Sequence, residues 1–288
     1  MNHVRSIVHC PPVHQLGILG KHIGIAILDS GICKHPDFGD RIIGWHDTVL
    51  HKPEPYDDNG HGTHVAGIAA GSGTVSHGTF CGIAPEANII SVKILDRYGE
   101  GMVSHITSGI DWVIENRFRY NIRIVNISVG ALDGKRFSET SKFVQKVNSL
   151  WDLGLVVVAS AGNKGPKSYS ISAPGNSRKI ITVGYVSKQS TSSIGPTTQC
   201  IKKPDVVTPG HQINSCCHLY PTGKVYTKKS GTSMATPVVS GSIALLLSTA
   251  PSLTPKDVKI RLKKSCIDLH QPHSIQGWGL LDVQRLVL

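Results

Sequence analysis

The chain alternates short apolar runs, rich in β-branched residues, with longer stretches in which apolar residues recur every three or four positions. Short uninterrupted runs predict strands buried on both faces, and the recurring spacing predicts amphipathic helices. Strand and helix in alternation favour a mostly parallel sheet, because parallel neighbours need a crossover connection. The predicted strands are residues 23–28, 89–95, 122–129, 155–159 and 180–186. We therefore predict a three-layer α/β/α fold with a mostly parallel central sheet.

Helices are predicted in the intervals between and after these strands. Apolar residues on one face predict amphipathic helices at 103–118 and 139–153, which would cover the sheet. The stretch 233–247 is apolar on nearly every side, so we expect this helix to be buried centrally. A last helix is predicted to begin after Thr254, an N-cap residue, with Pro255 at its first position.

The composition agrees with one large folded domain. Of the 288 residues, 40% are hydrophobic and 17% are charged, which excludes a disordered chain. Apolar runs such as 243–247 are far shorter than the roughly 18 residues of a membrane span, so we expect no membrane partner. No linker or repeat divides the sequence. We expect a single domain over residues 1–288, with residues 1–20 as an N-terminal extension and no separate pro-domain.

The net charge of +11 is compatible with an acidic partner such as nucleic acid. The basic residues are nevertheless spread along the chain, and the one dense run, 256–264, is typical of the solvated face of a helix. We therefore expect no nucleic-acid partner. The sequence gives no indication of the oligomeric state.

Seven cysteines are present, but none stands in a CxxC pair or at a spacing typical of zinc sites. Neither a zinc site nor a full disulfide framework is expected. Residues 1–20 mix histidine, arginine and proline with apolar residues, so they lack the continuous apolar stretch of a secretory signal. We expect a cytoplasmic protein, with the mature part of a secreted protein as the alternative.

Three segments place a reactive side chain where a strand ends or a helix begins. Asp29 directly follows a predicted strand, at the carboxyl edge of the sheet where open α/β folds build their sites. His61 is flanked by glycines, and Ser233 opens the buried helix. Each residue alone has a simpler interpretation. Asp29 could be a turn residue, Ser233 an N-cap, and His61 one half of a metal-binding pair with His64.

Together, the three residues predict nucleophilic catalysis. A serine hydroxyl is a weak nucleophile until a neutral imidazole accepts its proton, and a carboxylate must hold that imidazole in the correct tautomer. Asp29, His61 and Ser233 supply this set in the order Asp, His, Ser, which is the order of subtilisin. The sequence around them resembles the subtilisin-like serine proteases of the subtilase superfamily (peptidase family S8), and it resembles their intracellular bacterial members in particular.

The resemblance rests on three long motifs and several shorter stretches between about residues 24 and 282. The long motifs are Asp29-Ser30-Gly31, His61-Gly62-Thr63-His64-Val65-Ala66-Gly67 and Gly231-Thr232-Ser233-Met234-Ala235-Thr236-Pro237. The shorter stretches are Gly82-Ile83-Ala84-Pro85, Asn126-Ile127-Ser128-Val129-Gly130, Ala161-Gly162-Asn163 and Pro204-Asp205-Val206. The resemblance implies a subtilisin-like fold and a hydrolase, a serine endopeptidase that acts in proteolysis through an acyl-enzyme with a catalytic triad.

The same resemblance implies roles for further residues. Asn163 would bind the oxyanion with its side-chain amide, together with the backbone N–H of Ser233. Main-chain pairing with an extended polypeptide would give broad specificity, since backbone hydrogen bonds do not read side chains. Lys164 would lie near the pocket for the residue before the scissile bond and disfavour basic side chains there. The residues implied in substrate binding are Gly99, Gly101, Ser128, Val129, Gly130 and Lys164.

The sequence also departs from the family. Residues 71–82, which include a calcium-binding loop in many relatives, contain no carboxylate or asparagine, so that calcium site is not expected. Backbone carbonyls elsewhere leave structural calcium open, and we expect no cofactor to be required for catalysis. Cys216 and Cys217 fall in a predicted loop, where an exposed thiol would be open to oxidation. Residues 1–19 are a candidate for occluding the substrate cleft.

The alternative function is a catalytically silent peptide-binding protein on the same fold. Its signature would be the loss of Asp29, His61 or Ser233, and none is lost. An α/β-hydrolase esterase is disfavoured because Ser233 does not stand in a Gly-x-Ser-x-Gly elbow. We therefore predict a serine endopeptidase with polypeptide substrates.

Overall fold

A parallel sheet forms the centre of the molecule. The computed structural model describes residues 1–129, 138–187 and 190–288. In these residues seven strands pair in the order β2-β3-β1-β4-β5-β6-β7, each parallel to its neighbours. The strands are β1 Gly24–Asp29, β2 Ile42–Asp47, β3 Asn88–Lys93, β4 Ile122–Ile127, β5 Val156–Ser160, β6 Ile181–Val186 and β7 Val206–Pro209. A separate antiparallel hairpin is formed by β8, Ile213–Cys216, and β9, Tyr226–Lys229.

The five predicted strands are confirmed, with small differences at their ends. β2 and β7 were not predicted, and both lie at the edges of the sheet. β2 is only partly buried and is interrupted by Gly44, so it lacks a continuous apolar run. β7 has only four residues and ends in Pro209, which cannot donate a backbone hydrogen bond. Partial burial weakens the sequence signal of β2, whereas β7 is fully buried and its signal is weak because the strand is short.

Helices cover both faces of the sheet, so the predicted three-layer fold is confirmed. α4 and α5 bury their apolar faces with Ala26 and Leu28 of β1, whereas α3 and α6 lie on the opposite face with Ile25 and Ile27. The helices are α1 Asn2–Ile7, α2 Pro11–Gln15, α3 His61–Ala70, α4 Val103–Asn116, α5 Lys142–Asp152, α6 Thr232–Thr249, α7 Pro255–Ser265, α8 His273–Gln276 and α9 Val283–Val287. α7 begins at Pro255, as predicted.

α6 is the central helix, and its residues 232–247 are all buried. A Cβ atom added at Gly241 would lie 2.7 Å from the Cβ of Ile83 and 2.9 Å from the carbonyl oxygen of Ala69 in α3. Glycine therefore lets the backbones of α3 and α6 approach closely. By length and composition α6 could cross a membrane, but 83% of this apolar window is buried inside the molecule, as in the core helix of a folded domain.

The first 20 residues contribute to the same core. The side chains of Met1, Val4 and Val8 are buried, and the backbone N–H of Val283 in α9 donates to the carbonyl of Val8 at 2.7 Å. Within the described residues, this segment makes no hydrogen bond to the four predicted site residues, which are Asp29, His61, Asn163 and Ser233. These contacts do not support the prediction that residues 1–19 occlude the cleft.

His64 joins α3 to the β8–β9 hairpin. Its Nε2 lies 3.0 Å from the carbonyl oxygen of Ile213 and 3.1 Å from that of Thr227, so Nε2 carries the ring proton. Burial, followed by the positive charges of Lys229 and His61, lowers the pKa of His64 to about 3. Among the described residues His64 belongs to no group of three possible metal ligands, which does not support it as half of a metal-binding pair.

The neutral state of His64 makes the folded protein sensitive to acid. Between about pH 6.5 and pH 3 the unfolded chain binds a proton that folded His64 does not. The free energy of unfolding therefore decreases as the pH is lowered, by up to about 1.4 kcal/mol per pH unit. His64→Gln removes this proton and keeps an amide donor for the two carbonyls. We expect the urea midpoint of the wild type to fall more steeply between about pH 7 and pH 5 than that of His64→Gln. An equal pH dependence of the urea midpoint in the two proteins would contradict a buried, neutral His64.

Candidate active site

Asp29 is the last residue of β1 and lies at the carboxyl edge of the sheet, as predicted. β1 pairs with β3 on one side and β4 on the other, so the centre of the sheet fixes this position. The residue is fully buried, and its Oδ1 accepts a hydrogen bond from the backbone N–H of Ser30 at 2.8 Å. A carboxylate held in this way has little freedom to rotate.

His61 is the first residue of α3. Gly60 before it has a φ of 85°, a left-handed conformation that glycine adopts without strain. Nδ1 of His61 lies 2.7 Å from Oδ1 of Asp29. Because a carboxylate only accepts, Nδ1 carries the proton and Nε2 keeps its lone pair. The His61 side chain is 23% exposed and that of Asp29 only 1%, so the imidazole, and not the carboxylate, faces solvent.

Ser233 is the second residue of α6 and is 9% exposed. Its hydroxyl donates to the backbone carbonyl of Ser128 at 2.8 Å, and the hydroxyl of Ser128 donates to the carbonyl of Ser233 at 3.2 Å. The amide of Asn126 donates to Oγ of Ser128 at 2.8 Å, so the start of α6 is tied to the end of β4. Among the described residues, His61 and Ser233 share no hydrogen bond. The structure therefore joins His61 to Asp29 and leaves the serine hydroxyl on Ser128.

Asn163 follows β5 and is exposed beside the start of α6. Its Oδ1 accepts hydrogen bonds from the backbone N–H of Thr232 at 2.9 Å and from the Thr232 hydroxyl at 3.1 Å. Since Oδ1 is occupied, the Nδ2 group is left to donate elsewhere. Thr232 is adjacent to Ser233, so this amide is held next to the serine. Lys164 is also exposed, as expected for a residue at a pocket rim, and its backbone N–H donates to Oγ of Ser193 at 3.1 Å.

The predicted substrate-binding residues lie after β4 and in the turn between β3 and α4. Ser128 and Val129 are buried directly after β4, and Gly130 lies outside the described residues. Gly99 is exposed and Gly101 half-buried in the turn between β3 and α4. Both segments follow the carboxyl ends of strands, so they share the edge of the sheet at which β1 ends.

The turn that contains Gly99 is connected to the segment before His61. Nδ2 of Asn59 donates to the backbone carbonyl of Arg97 at 3.1 Å. Oδ1 of Asn59 accepts the backbone N–H of His61 at 3.2 Å. One side chain thus links the proposed substrate edge to the first residue of α3.

His35, Asp37 and Cys216 form a buried group of possible metal ligands, whose ligand atoms lie within 4.8 Å of one another. Their acceptor atoms are already engaged by protein donors. The backbone N–H of Asp37 donates to Nδ1 of His35 at 3.1 Å, and the hydroxyl of Tyr226 donates to Oδ2 of Asp37 at 2.8 Å. We interpret this group as a hydrogen-bonded cluster that fastens β8 and β9 to the segment after β1. That catalysis needs no cofactor stays a prediction.

The prediction of an exposed thiol at Cys216 or Cys217 is wrong. Cys216 ends β8, and both side chains are 2% exposed. Burial, followed by the negative charge of Asp37, raises the pKa of Cys216 well above its ordinary value. A protonated, buried thiol is a poor target for oxidation, because the thiolate is the reactive form. The sequence showed polar neighbours and no apolar run here, which is why the burial was missed.

Sequence reasoning also missed two buried charged residues, Asp57 and Lys93, which both contact Ser30 next to Asp29. Lys93 ends β3, and its Nζ donates to the carbonyl of Ser30 and to Oδ1 of Asp58, each at 2.6 Å. The signal was a lysine inside the predicted strand 89–95, because a charge within a buried strand needs partners.

The fold has a counterpart among solved structures. The chain aligns with a cold adapted subtilisin-like serine proteinase, known from its crystal structure, with a TM-score of 0.76 and 29% sequence identity. The alignment covers 92% of this chain and 90% of the other. The shared sheet and the Asp–His pair at its edge, with a serine opening the central helix, define a subtilisin-like serine peptidase.

The sequence model of the Subtilase family matches residues 20–279, and the chain belongs to this family. It is 42% identical to Serine protease AprX of Bacillus subtilis (strain 168) in an alignment of 276 positions that covers 85% of this chain and 61% of that protein. It is 34% identical to Subtilisin Savinase of Lederbergia lenta over 280 residues, which cover 97% of this chain and 96% of that protein. The predicted resemblance is confirmed, and with it the class of serine-type endopeptidases.

Proposed function

We propose that this chain hydrolyses peptide bonds in polypeptides, with Asp29, His61 and Ser233 as its catalytic triad. The observation that carries the proposal is the 2.7 Å hydrogen bond between Nδ1 of His61 and the buried carboxylate of Asp29. In the neutral imidazole it leaves Nε2 of His61 as the unprotonated nitrogen, as a general base requires. The relative named Serine protease AprX supports the same conclusion.

The reaction begins with a change of hydrogen-bond partner at Ser233. The hydroxyl leaves the carbonyl of Ser128 and turns to Nε2 of His61, which takes its proton as Oγ attacks the substrate carbonyl carbon. Catalytic hydrogen bonds often tighten only when substrate is bound. Asp29 stabilises the imidazolium that forms. His61 then gives the proton to the departing amine, and water attacks the acyl-enzyme by the same route.

The oxyanion of the tetrahedral intermediate is bound by Nδ2 of Asn163 and the backbone N–H of Ser233. Two hydrogen bonds from Thr232 hold the amide of Asn163 in one orientation, so its donor needs no reorganisation during the reaction. The N-terminal end of α6 adds a favourable dipole at the same place.

Substrate is held mainly through its backbone. The extended polypeptide would lie between Ser128 and Val129 on one side and Gly99 and Gly101 on the other. Main-chain pairing gives broad specificity, because every residue offers the same backbone donor and acceptor.

All proposed steps use groups of this chain, so catalysis requires no cofactor. The seven cysteines are all free, which supports a reducing, cytoplasmic setting. A silent peptide-binding protein is the alternative function, and no observation favours it over hydrolysis.

Ser233→Ala tests the nucleophile. We expect casein hydrolysis to fall by roughly 10⁶-fold, the loss that removal of this nucleophile causes in a subtilisin, and labelling by a fluorophosphonate probe to vanish. Ser230→Ala is the matched control, because Ser230 is exposed just before α6 and its Oγ accepts the backbone N–H of Gln212. It should retain labelling and hydrolysis. A folded wild type that neither labels nor cleaves would contradict the proposal and favour the silent peptide-binding protein.

Asn163→Ala tests the oxyanion donor. We expect kcat to fall by about 10²–10³-fold, the range known for such a donor in subtilisin, with KM nearly unchanged, because the bond strengthens only as the oxyanion forms. Steady-state kinetics on a peptide substrate separate the two constants. A rise in KM with kcat unchanged would instead assign Asn163 to ground-state binding.

Lys164→Glu tests the pocket for the residue before the scissile bond. The wild type should prefer a Glu substrate over a matched Lys substrate by up to about fivefold in kcat/KM, since exposed ion pairs contribute about 1 kcal/mol or less. Lys164→Glu should reverse this order. Lys167→Glu, also exposed, is the control for a general change of charge. Equal cleavage of both substrates before and after the change would exclude a role for Lys164.

A further inference from the structure

Asp57 accepts an unusual number of hydrogen bonds for one buried carboxylate. Its Oδ1 accepts the hydroxyl of Ser30 at 2.9 Å and the backbone N–H groups of Gly60 at 2.7 Å and Asn59 at 3.2 Å. Its Oδ2 accepts the backbone N–H of Thr63 at 2.9 Å and the Thr63 hydroxyl at 2.6 Å. Five donors therefore converge on a side chain that is 8% exposed.

These donors come from the two segments that carry the Asp–His pair. Ser30 directly follows Asp29 at the end of β1, and Thr63 lies in the first turn of α3, which begins at His61. The Asp57 carboxylate is a bridge between them, since one oxygen receives Ser30 and the other receives Thr63. A short backbone pairing of Gly31 with Asp57 also brings the segments together.

Ser30 completes the bridge with a second bond. Its Oγ donates to Asp57 and accepts the backbone N–H of Gly62 at 2.9 Å. The position of the first turn of α3 relative to the end of β1 is thus set by a closed ring of hydrogen bonds. The Asp29–His61 distance depends on that position.

The ring requires a carboxylate and not an amide. Burial alone would raise the pKa of Asp57, but the bonds from Thr63, Gly60 and Ser30 outweigh it and hold the pKa below its ordinary value. Each oxygen faces at least one backbone N–H, which cannot rotate away. The Nδ2 group of an asparagine would therefore meet a backbone donor in either orientation.

We propose that Asp57 is a positioning residue for the reaction, one that sets the Asp29–His61 geometry by joining the end of β1 to the first turn of α3. It touches neither substrate nor reacting atoms. This role rests on the proposed function of Asp29 and His61 as members of the triad.

The test uses two variants of the ring. Asp57→Asn removes one acceptor and forces a donor against a donor, whereas Ser30→Ala removes one bridging hydroxyl and leaves all charges in place. We expect kcat to fall by about 10- to 100-fold in Asp57→Asn, with a smaller fall in Ser30→Ala, because small misplacements of catalytic groups have costs of this size. KM should change less than about threefold, because the substrate-binding segments are not in the ring.

Asp47→Asn is the matched control. Asp47 is also buried and accepts four hydrogen bonds, from the backbone N–H groups of Val49, Leu50 and Lys52 and from the hydroxyl of Tyr56. Its pKa is also held below the ordinary value, by those bonds against the effect of burial. It organises the loop after β2, so its loss should lower the melting temperature without lowering kcat.

A second measurement reads the geometry without catalysis. The Nδ1 proton of His61, hydrogen-bonded to Asp29, should give a low-field proton resonance in the wild type. It should weaken or move upfield in Asp57→Asn and Ser30→Ala and remain in Asp47→Asn. If Asp57→Asn does not fold, Ser30→Ala decides alone.

Two results would overturn the proposal. One is a folded Asp57→Asn or Ser30→Ala with wild-type kcat and an unchanged resonance. The other is an Asp47→Asn variant that has the melting temperature of Asp57→Asn and shows the same loss of kcat and of the His61 resonance. That result would mean that general destabilisation causes the losses. Failure of the proposed function is a separate outcome, since it would appear as a wild type without hydrolysis while the resonance still reports on Asp57.

Discussion

The parallel pairing of β1 with β4 and of β4 with β5 is the constraint on which the site depends. Strands that run in the same direction end at the same edge, and loops from that edge can meet above it. Asp29 ends β1, Ser128 follows β4 and Asn163 follows β5, so residues spread over 134 positions reach the same edge of the sheet. The apolar runs that hold these strands together are thus as necessary for the chemistry as the polar residues.

The sequence was sufficient to predict the central strands, the main helices and the candidate site residues. A run such as Val156–Ser160 is apolar at every position but the last, because both of its faces are covered, and that pattern has few other interpretations. The position of Asp29 and Ser233 at element ends follows from the same patterns. What these residues contact could not be predicted, and the present bond from Ser233 to Ser128 is an example, since it depends on side-chain torsions.

Other features depend on partners far away in the sequence. β2 was missed because an edge strand needs only partial burial, and its Gly44 and Trp45 interrupt the pattern. Cys216 is buried because β8 packs its side chain against Gly67 of α3 and against Asp37, which no local pattern around Cys216 records. Asp57 reads as one acid in a polar loop, and its importance becomes visible only when Ser30, 27 positions earlier, is placed against it. Local patterns predict elements, whereas hydrogen-bond rings between elements need the fold.

The close approach of α3 and α6 at Gly241 limits how this enzyme can diverge. His61 opens one of these helices and Ser233 is the second residue of the other, so the separation between the two helices sets the separation of the proposed base and nucleophile. A side chain at Gly241 would meet the carbonyl oxygen of Ala69 and the Cβ of Ile83, whose positions are fixed by the backbone, so no change of rotamer can make room for it. The loops around the cleft can therefore vary from one relative to another and alter what is cleaved. The distance between α3 and α6, by contrast, has to stay the same.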